Sequence, residues 1–415
     1  MLTYQQALAT CIDAVDRVLE TETVSLLNAP GRILAHDIMA SLAVQPFDNA
    51  AMDGYAVYRE DIAAATAVNI VHLPCSQVIA AGDTASIPAL QRGTCARIMT
   101  GAPMPSGADA VVQIERTTAL SNNMVTFTAP CAPNENVRYA GEDFKPGDNV
   151  LDRGRIIAVH HIMPLATLGI GKLPVVKRPR AAVITTGNEL ATSLDVPLPS
   201  GMIYNSNHFY IRGALAAMGV DVAAAHMVSD DPTALRSLLL QSMQQNIDLV
   251  ISSGAVSAGD FDIVRPVLEE LGAKILFHKI KVKPGKPNLF AKLPNGCLYF
   301  GLPGNPVATA AGLRFLVQQT VRRMCGIDCE KPLYARAMNR FVKPPGLHMF
   351  LKGSVEAWED GSLTVDILEG QESFKVSPFL QMNAWVSVAE DIQEIRAGQV
   401  LPVFFMADCT AAALP

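Results

Sequence analysis

The sequence predicts a multidomain protein of α/β and β type. Its centre is a doubly wound α/β domain with a mostly parallel sheet. An inserted small β domain, an N-terminal α+β domain and a small C-terminal β domain complete it. Three observations lead there. Between about residues 173 and 328, apolar strand-like runs alternate with amphipathic helical runs. Two flanking stretches, about 47–139 and 329–415, hold only short β-like runs punctuated by Gly and Pro. The chain has 415 residues, too many for one ordinary core.

From the N-terminus, Leu8, Cys11, Ile12, Val15, Val18 and Leu19 recur at helical spacing. Asp13 and Asp16 interrupt that run, so an amphipathic helix is expected there rather than a signal peptide. A strand-like piece follows at Arg32 to Ile38. The next region carries the β-like runs ARIMTG, AVVQIE and MVTFTA. The segment from Gly141 to Lys172, with a helical run ending near Leu168, is expected to return to the N-terminal region. The expected domains are therefore 1–46 with 140–172, 47–139, 173–328 and 329–415.

Inside the α/β stretch, RAAVITTG reads as a buried strand. SNHFYIRGALAAMG reads as a helix capped by Asn205 or Ser206 and stopped by Gly219. VDVAAAHMV is a strand. DDPTALRSLLLQSM is a helix with Asp231 at the N-cap and Pro232 at its first position. DLVISSG, AKILFHKIKV and CLYFG are strands, with the helix FDIVRPVLEELG after the first of them. Strands alternating with helices imply a sheet covered on both faces. Ligands of such sheets lie outside the carboxyl ends of the strands.

Bulk composition narrows the function. Half the residues are hydrophobic, 17% are charged, and the net charge is −6. With no basic block, nucleic acid is not expected as the main partner. No apolar run is long enough to span a bilayer. The eight cysteines are scattered, and Cys325 and Cys329 lack the further ligands of a zinc site. They read as free thiols of a reducing compartment, and the chain as cytoplasmic.

Four loops follow predicted strands and should open on one edge: TTGNEL, SSGAVSAGDFD, KVKPGKP and GLPGNP. SSGAVSAG and GLPGNP can aim backbone N–H groups and helix N-termini at a phosphate. Ser252, Ser253, Ser257 and Thr186 add hydroxyl donors, and Lys279, Lys281, Lys283 and Lys286 add positive charge. In a strand, Lys279, Lys281 and Lys283 would share one face. Any one of these loops alone is ordinary α/β architecture. Four polar, glycine-bearing loops on one edge point to a site.

Acidic residues follow the same strands: Glu189, Asp230, Asp231, Asp260 and Asp262. A carboxylate beside an anion cradle repels its ligand unless a cation lies between them. Mg²⁺ commonly uses one or two carboxylates plus substrate phosphates, so metal would bridge Asp262 or Glu189 to a phosphate. Asp231 is explained as a helix cap, and Asp260 could cap the next helix. PFDNAAMDGYAV places Asp48, Asn49 and Asp53 among small residues, where Asp53-Gly54 could be a turn.

PFDNAAMDGYAV, RIMTGAPMPSGADAV, GEDF, TTGNEL, SSGAVSAGDFD, KVKPGKP and GLPGNPVA resemble, in this order, the motifs of the molybdopterin molybdenumtransferases. The gephyrin E domain belongs to the same family. The resemblance implies an elongated N-terminal domain that dimerises. It implies insertion of molybdenum from molybdate into adenylylated molybdopterin, with release of AMP and assistance from Mg²⁺. Glu189, Asp230 and Asp262 match acidic active-site positions, with Glu189 and Asp262 the metal or water-orienting candidates. Asp53 and Thr100 match positions that complete the partner subunit's pocket, so the site would form across a homodimer. Lys279, Lys283, Lys286, Pro303 and Pro306 match the anion-binding side. Thr186, Gly187, Ser252, Gly254, Ser257, Gly259 and Gly304 belong to the matching substrate loops, and Asp143 in GEDF matches a further functional position. Contacts with the adenylylating enzyme and with molybdoenzyme apoproteins are implied as well.

The chain departs from the family pattern at Ala255, where a second glycine is usual, and at Asn188 and Asn205, where Asp is common. Ala50 replaces a frequent Ser. Ala255 would hurt a turn that needs φ > 0 or close phosphate approach. It motivates an alternative, a diverged pterin-nucleotide binder or scaffold without turnover.

Overall fold

The computed structural model describes residues 1–83, 86–191, 193–255 and 263–406. They form two compact units, one of Thr23–Pro30 and Leu34–Pro174, the other of Met1–Glu22, Gly31–Ile33 and the described residues from Val175 onward.

The smaller unit is built on a six-stranded sheet. Its spatial order is Ala110–Gln113, Gly54–Val57, Cys95–Ile98, Val71–Ile79, Met124–Phe127 and Thr117–Ala119. Alternate side chains supply two cores. Tyr55, Val57 and Val112 pack into one, and Ala56, Ala96 and Val111 into the other, as the two-residue period of a strand requires. Gly54 is fixed by close approach: a methyl there would sit 2.1 Å from the Val112 carbonyl oxygen. The chain entering and leaving this sheet pairs with itself, Asn49–Ala50 against Val137–Arg138 and Ile38–Met39 against Asn149–Leu151.

In the larger unit, helix α1 (Tyr4–Asp13) opens with a capping box between Thr3 and Gln6. The α/β sheet follows. Its strands are β1 (Arg180–Thr186), β2 (Asp221–Val228), β3 (Leu249–Ser253), β4 (Lys274–His278), β5 (Leu289–Lys292) and β6 (Leu298–Leu302). They lie in the order β2-β1-β3-β6-β5-β4. The pairs β2-β1, β1-β3 and β3-β6 are parallel, and β5 runs antiparallel to both neighbours.

The sheet is covered on both faces. Ala182 and Ile184 of β1 point into a core with Leu235 and Leu239 of α3 (Pro232–Gln244) and Val264 and Leu268 of α4 (Val264–Glu270). On the other face, Thr185 meets helix α2 (Ser206–Ala217) through Asn205. The local signals explain where the helices begin and end. Asn205 caps α2 by accepting from the His208 N–H, and Gly219 ends it at φ +75°. Asp231 caps α3 through the Thr233 N–H, with Pro232 at the first position.

The structure corrects the reading of AKILFHKIKV as one strand. β4 stops at His278, Lys279 turns at φ +70°, and Val282–Lys283 leaves to pair with a different sheet. Lys279, Lys281 and Lys283 therefore do not share one strand face. The strand β5, which pairs with both β4 and β6, makes the sheet mixed at that side.

Helix α5 (Pro306–Gly312) continues through a π-helical turn, Leu313–Val317, into Gln318–Met324. The C-terminal strands close into a small barrel: β7 (Leu333–Ala337), β8 (His348–Ala357), β9 (Leu363–Ile367), β10 (Ala384–Val388) and β11 (Val400–Phe405). The ring of Phe315 stacks on Phe350 of β8 at 3.7 Å and 10° and meets Trp385 and Phe404 edge-on. This aromatic contact fastens the barrel to the helical run that starts at the sheet's carboxyl edge. Among the described residues, no helix is long and apolar enough to cross a membrane, and all seven cysteines are free.

Leu239 is fully buried in the α/β core, whereas Leu333 is half exposed. Leu239→Ala should cost about 2–5 kcal/mol, and Leu333→Ala well under about 1 kcal/mol. Urea denaturation followed by far-UV circular dichroism checks the contrast.

Candidate functional site at the carboxyl edge of the sheet

A cavity of about 590 Å³ opens where the parallel strands end. β1 contributes Thr186, Gly187 and Glu189, β2 is followed by Asp230, β3 supplies Ser253, Gly254 and Ala255, and β6 is followed by Pro303 to Pro306. The start of α2 adds Tyr204 to Asn207. Pro287 and, from the barrel unit's loop, Phe374 complete the wall.

The wall is held by a side-chain web. The buried Asn207 amide donates to Ser253 Oγ at 2.8 Å and to the Gly304 carbonyl at 2.7 Å. Ser253 Oγ in turn donates to the Pro303 carbonyl at 3.1 Å. One amide thus ties the turn after β3 to the turn after β6. Asn205 both caps α2 and donates to Thr185 Oγ1 at 2.9 Å, a bond that an aspartate could not donate. His208 lies behind this wall, its pKa pushed down by burial and by Arg212 and His226.

The Thr186 hydroxyl is buried on the cavity wall without a hydrogen-bond partner, which a ligand atom would supply. Gly254 is required beside it. Its φ is +102°, and a methyl there would lie 2.3 Å from the Thr186 carbonyl oxygen. Ala255 also stands in the left-handed region, at φ +49°. The turn that the sequence departure put in question therefore keeps its left-handed backbone, at a strain of roughly 1–2 kcal/mol.

Two carboxylates share the rim. Glu189 is exposed, and its Oε2 sits over Gly187, 2.7 Å from where a methyl would be. Asp230 is half buried, and its N–H donates to Asn188 Oδ1 at 3.3 Å. Asn188 keeps the oxygen acceptor that Asp would offer at that place. Ser252 lies within the sheet, where its Oγ accepts from the Tyr299 hydroxyl at 2.6 Å. Lys279 is half buried and Lys283 and Lys286 are exposed; none of the three lines the cavity. Ser257, Gly259, Asp260 and Asp262 fall outside the described residues.

The smaller unit carries its own acidic candidates. Asp53 Oδ1 accepts from the Thr100 backbone N–H and from its hydroxyl, both at 2.7 Å. These bonds, the backbone one first, hold the Asp53 pKa below the usual carboxylate range. Asp143 is exposed, with its N–H donating to the Val44 carbonyl at 2.8 Å.

Two family models match separate stretches of the chain. Residues 2–169 match the model of the MoeA N-terminal region, domains I and II, and residues 182–323 match that of a probable molybdopterin binding domain. A molybdopterin molybdenumtransferase of Haemophilus influenzae is 33% identical over 97% of this chain and 98% of its own. The chain belongs to the molybdopterin molybdenumtransferase family. Membership makes it a transferase with a role in molybdenum cofactor biosynthesis. The enzyme of that name from Synechococcus elongatus is 31% identical over 97% of this chain and 99% of its own. Among solved structures, a molybdopterin biosynthesis MoeA protein from Pyrococcus horikoshii superposes with a TM-score of 0.83 at 28% identity, covering 98% of this chain and 99% of that one.

Tyr204, Asn207 and Phe374 are wall residues that motif reading passed over. Asn207 was visible only as one polar residue in a helix start. Phe374 lies 68 residues beyond Pro306, and no local pattern joins the two.

Two tests follow from the geometry. Ala255→Gly relieves the left-handed strain and should stabilise the fold by up to about 1 kcal/mol, after the entropy cost of glycine. Gly254→Ala should destabilise it, and thermal unfolding separates the two. Thr100→Val removes one donor to Asp53, so the Asp53 pKa should rise toward the ordinary range in a carboxyl NMR titration. A depressed carboxylate stabilises above its unfolded pKa and loses that contribution as pH falls through the folded value, so the variant should lose it at higher pH than the wild type.

Proposed function

We propose that this chain inserts molybdenum from molybdate into adenylylated molybdopterin and releases AMP, and that a divalent cation, Mg²⁺, assists. The observation that carries the reading is one cavity joining an unpartnered buried hydroxyl, Thr186, glycine turns and two rim carboxylates. An adenylylated pterin phosphate needs donors for its anionic centre, and carboxylates beside it need a cation between.

The donor set fits the cation. Mg²⁺ takes one or two carboxylates when substrate phosphates fill its other positions, and Glu189 and Asp230 stand at the rim. Among the described residues no group of three or more His, Cys, Asp or Glu side chains gathers as a protein-only cage. In this reading Glu189 and Asp262 would hold the ion, which would supply positive charge beside the phosphoanhydride. The chain's own residues do the rest. Thr186 and the N–H groups of the turn after β3 receive phosphate oxygens. Asn207 holds the two turns in register. In this assignment Ser257 and Gly259, which lie outside the described residues, also bind the substrate, and Lys279, Lys283 and Lys286 add positive potential toward molybdate and phosphate.

The reading further makes the enzyme a cytoplasmic homodimer whose site takes Asp53 and Thr100 from a second copy, with Asp143 on the same unit. Leu27, Ile156, Val159 and Met163 support a covered face, since all four apolar side chains are at least half exposed on the smaller unit. An adenylylating enzyme supplies the substrate, and apoenzymes take the product. The alternative, binding without turnover, rested on Ala255, and the left-handed backbone kept at that residue weakens it.

Purified protein given adenylylated molybdopterin should release AMP only with both Mg²⁺ and molybdate present. Binding without release under both would overturn the proposal in favour of a binder. Asp53→Ala and Glu189→Ala proteins should each be inactive, and mixing them under subunit exchange should recover roughly a quarter of wild-type turnover, because half of the mixed dimers' sites carry neither change. No recovery with exchange demonstrated would remove the shared site.

A further inference from the structure

We propose that Phe374 is a stacking platform for the fused heteroaromatic ring of the substrate, and that Lys352 is the positioning residue that fixes it. The inference rests on the functional reading above and assigns one part of the ligand to one wall. The Phe374 side chain lines the cavity yet is 65% exposed. A large aromatic group left in water is ordinary on a loose surface loop. Here the loop is held at several points.

Lys352 on β8 is buried, and its ammonium donates to the carbonyls of Gly370, Glu372 and Lys375 at 2.5, 3.3 and 3.0 Å. Three donors meet three acceptors, all within the six residues around Phe374. Gln371 locks the same strand from its other side, accepting from the Lys352 N–H at 3.0 Å and donating to the Lys352 carbonyl at 2.9 Å. At the cavity end, Asn305 Nδ2 donates to Ser373 Oγ at 3.1 Å, and the Val307 N–H at the start of α5 donates to the Ser373 carbonyl at 3.1 Å. The loop is thus tied to the phosphate-side turn, while the ring between the ties is left unpacked.

The rest of the wall explains what the ring is for. Thr186, Ser253, Asn205, Asn207 and the two carboxylates suit an anionic, hydrogen-bonding ligand part. The other aromatic residue, Tyr204, is tied by its hydroxyl to the Val196 carbonyl at 3.0 Å. Phe374 offers a flat apolar face with no polar group to satisfy. Such a face suits a planar ring, and stacking of a base on an aromatic side chain changes affinity by about tenfold or more. Pterin and adenine share this chemistry, so the test must separate them.

Calorimetric titration of the full chain with AMP, with 6-hydroxymethylpterin and with ribose 5-phosphate decides the matter. Phe374→Ala should weaken binding of at least one ring ligand about tenfold while leaving ribose 5-phosphate unchanged. Phe374→Trp should restore it, and Phe374→Leu, apolar but not planar, should not. Loss confined to AMP assigns the platform to adenine, and loss confined to the pterin assigns it to that ring. Lys352→Met should reproduce the Phe374→Ala effect and add nothing to it in the double variant. Wild-type affinity of Phe374→Ala for both rings overturns the proposal alone, as does an equal loss for ribose 5-phosphate. A wild-type protein that binds neither ring overturns the functional reading with it.

Discussion

Parallel strands all point one way, and that constraint organises the α/β unit. β1, β2, β3 and β6 end on a single edge, so the segments that follow them must begin there. Residues distant in sequence, from Thr186 to Pro306, thereby share one cavity. The sheet delivers the loops but does not set their spacing. Asn207 does that, through bonds to Ser253 and Gly304 on turns that leave different strands. The aromatic stack of Phe315 on Phe350 adds the last wall by holding the barrel beside the same edge.

The site combines donors and carboxylates in a way that structure alone does not favour. Thr186 buries a hydroxyl without a partner, and Ala255 holds a backbone conformation better suited to glycine. Both cost stability, the second by roughly 1–2 kcal/mol. Sites that bind anions tolerate such costs because the ligand, rather than the fold, completes the interactions. Nothing in the apo packing accounts for the exposed ring of Phe374 either, whereas a planar ligand would.

Much of the fold was legible because its signals are local. The N-cap Asn205, the Asp231-Pro232 helix start and the Gly219 stop each act within a few residues, and each could be seen in the sequence. So could the buried β1 and β3 runs. The mixed edge was not legible. LFAK is only four residues, and the departure of Val282–Lys283 to the barrel depends on a partner strand more than 60 residues away. The site divides likewise. Glycine-bearing turns after strands are visible as motifs. Which side chain of a turn faces the cavity is decided by the pleat and by tertiary bonds: Ser252 turns to Tyr299, while its neighbour Ser253 turns to Asn207. Phe374 is placed by Lys352 and Ser373, in a C-terminal stretch whose short β-like runs carry no motif.

On the function proposed, the cavity at the carboxyl edge holds the nucleotide. A crystal structure of the full chain soaked with AMP tests it most directly. AMP density is expected between Thr186, Gly254 and Gly304, with its phosphate toward the glycine turns. Full-occupancy AMP at any other place, with this cavity empty, would contradict it.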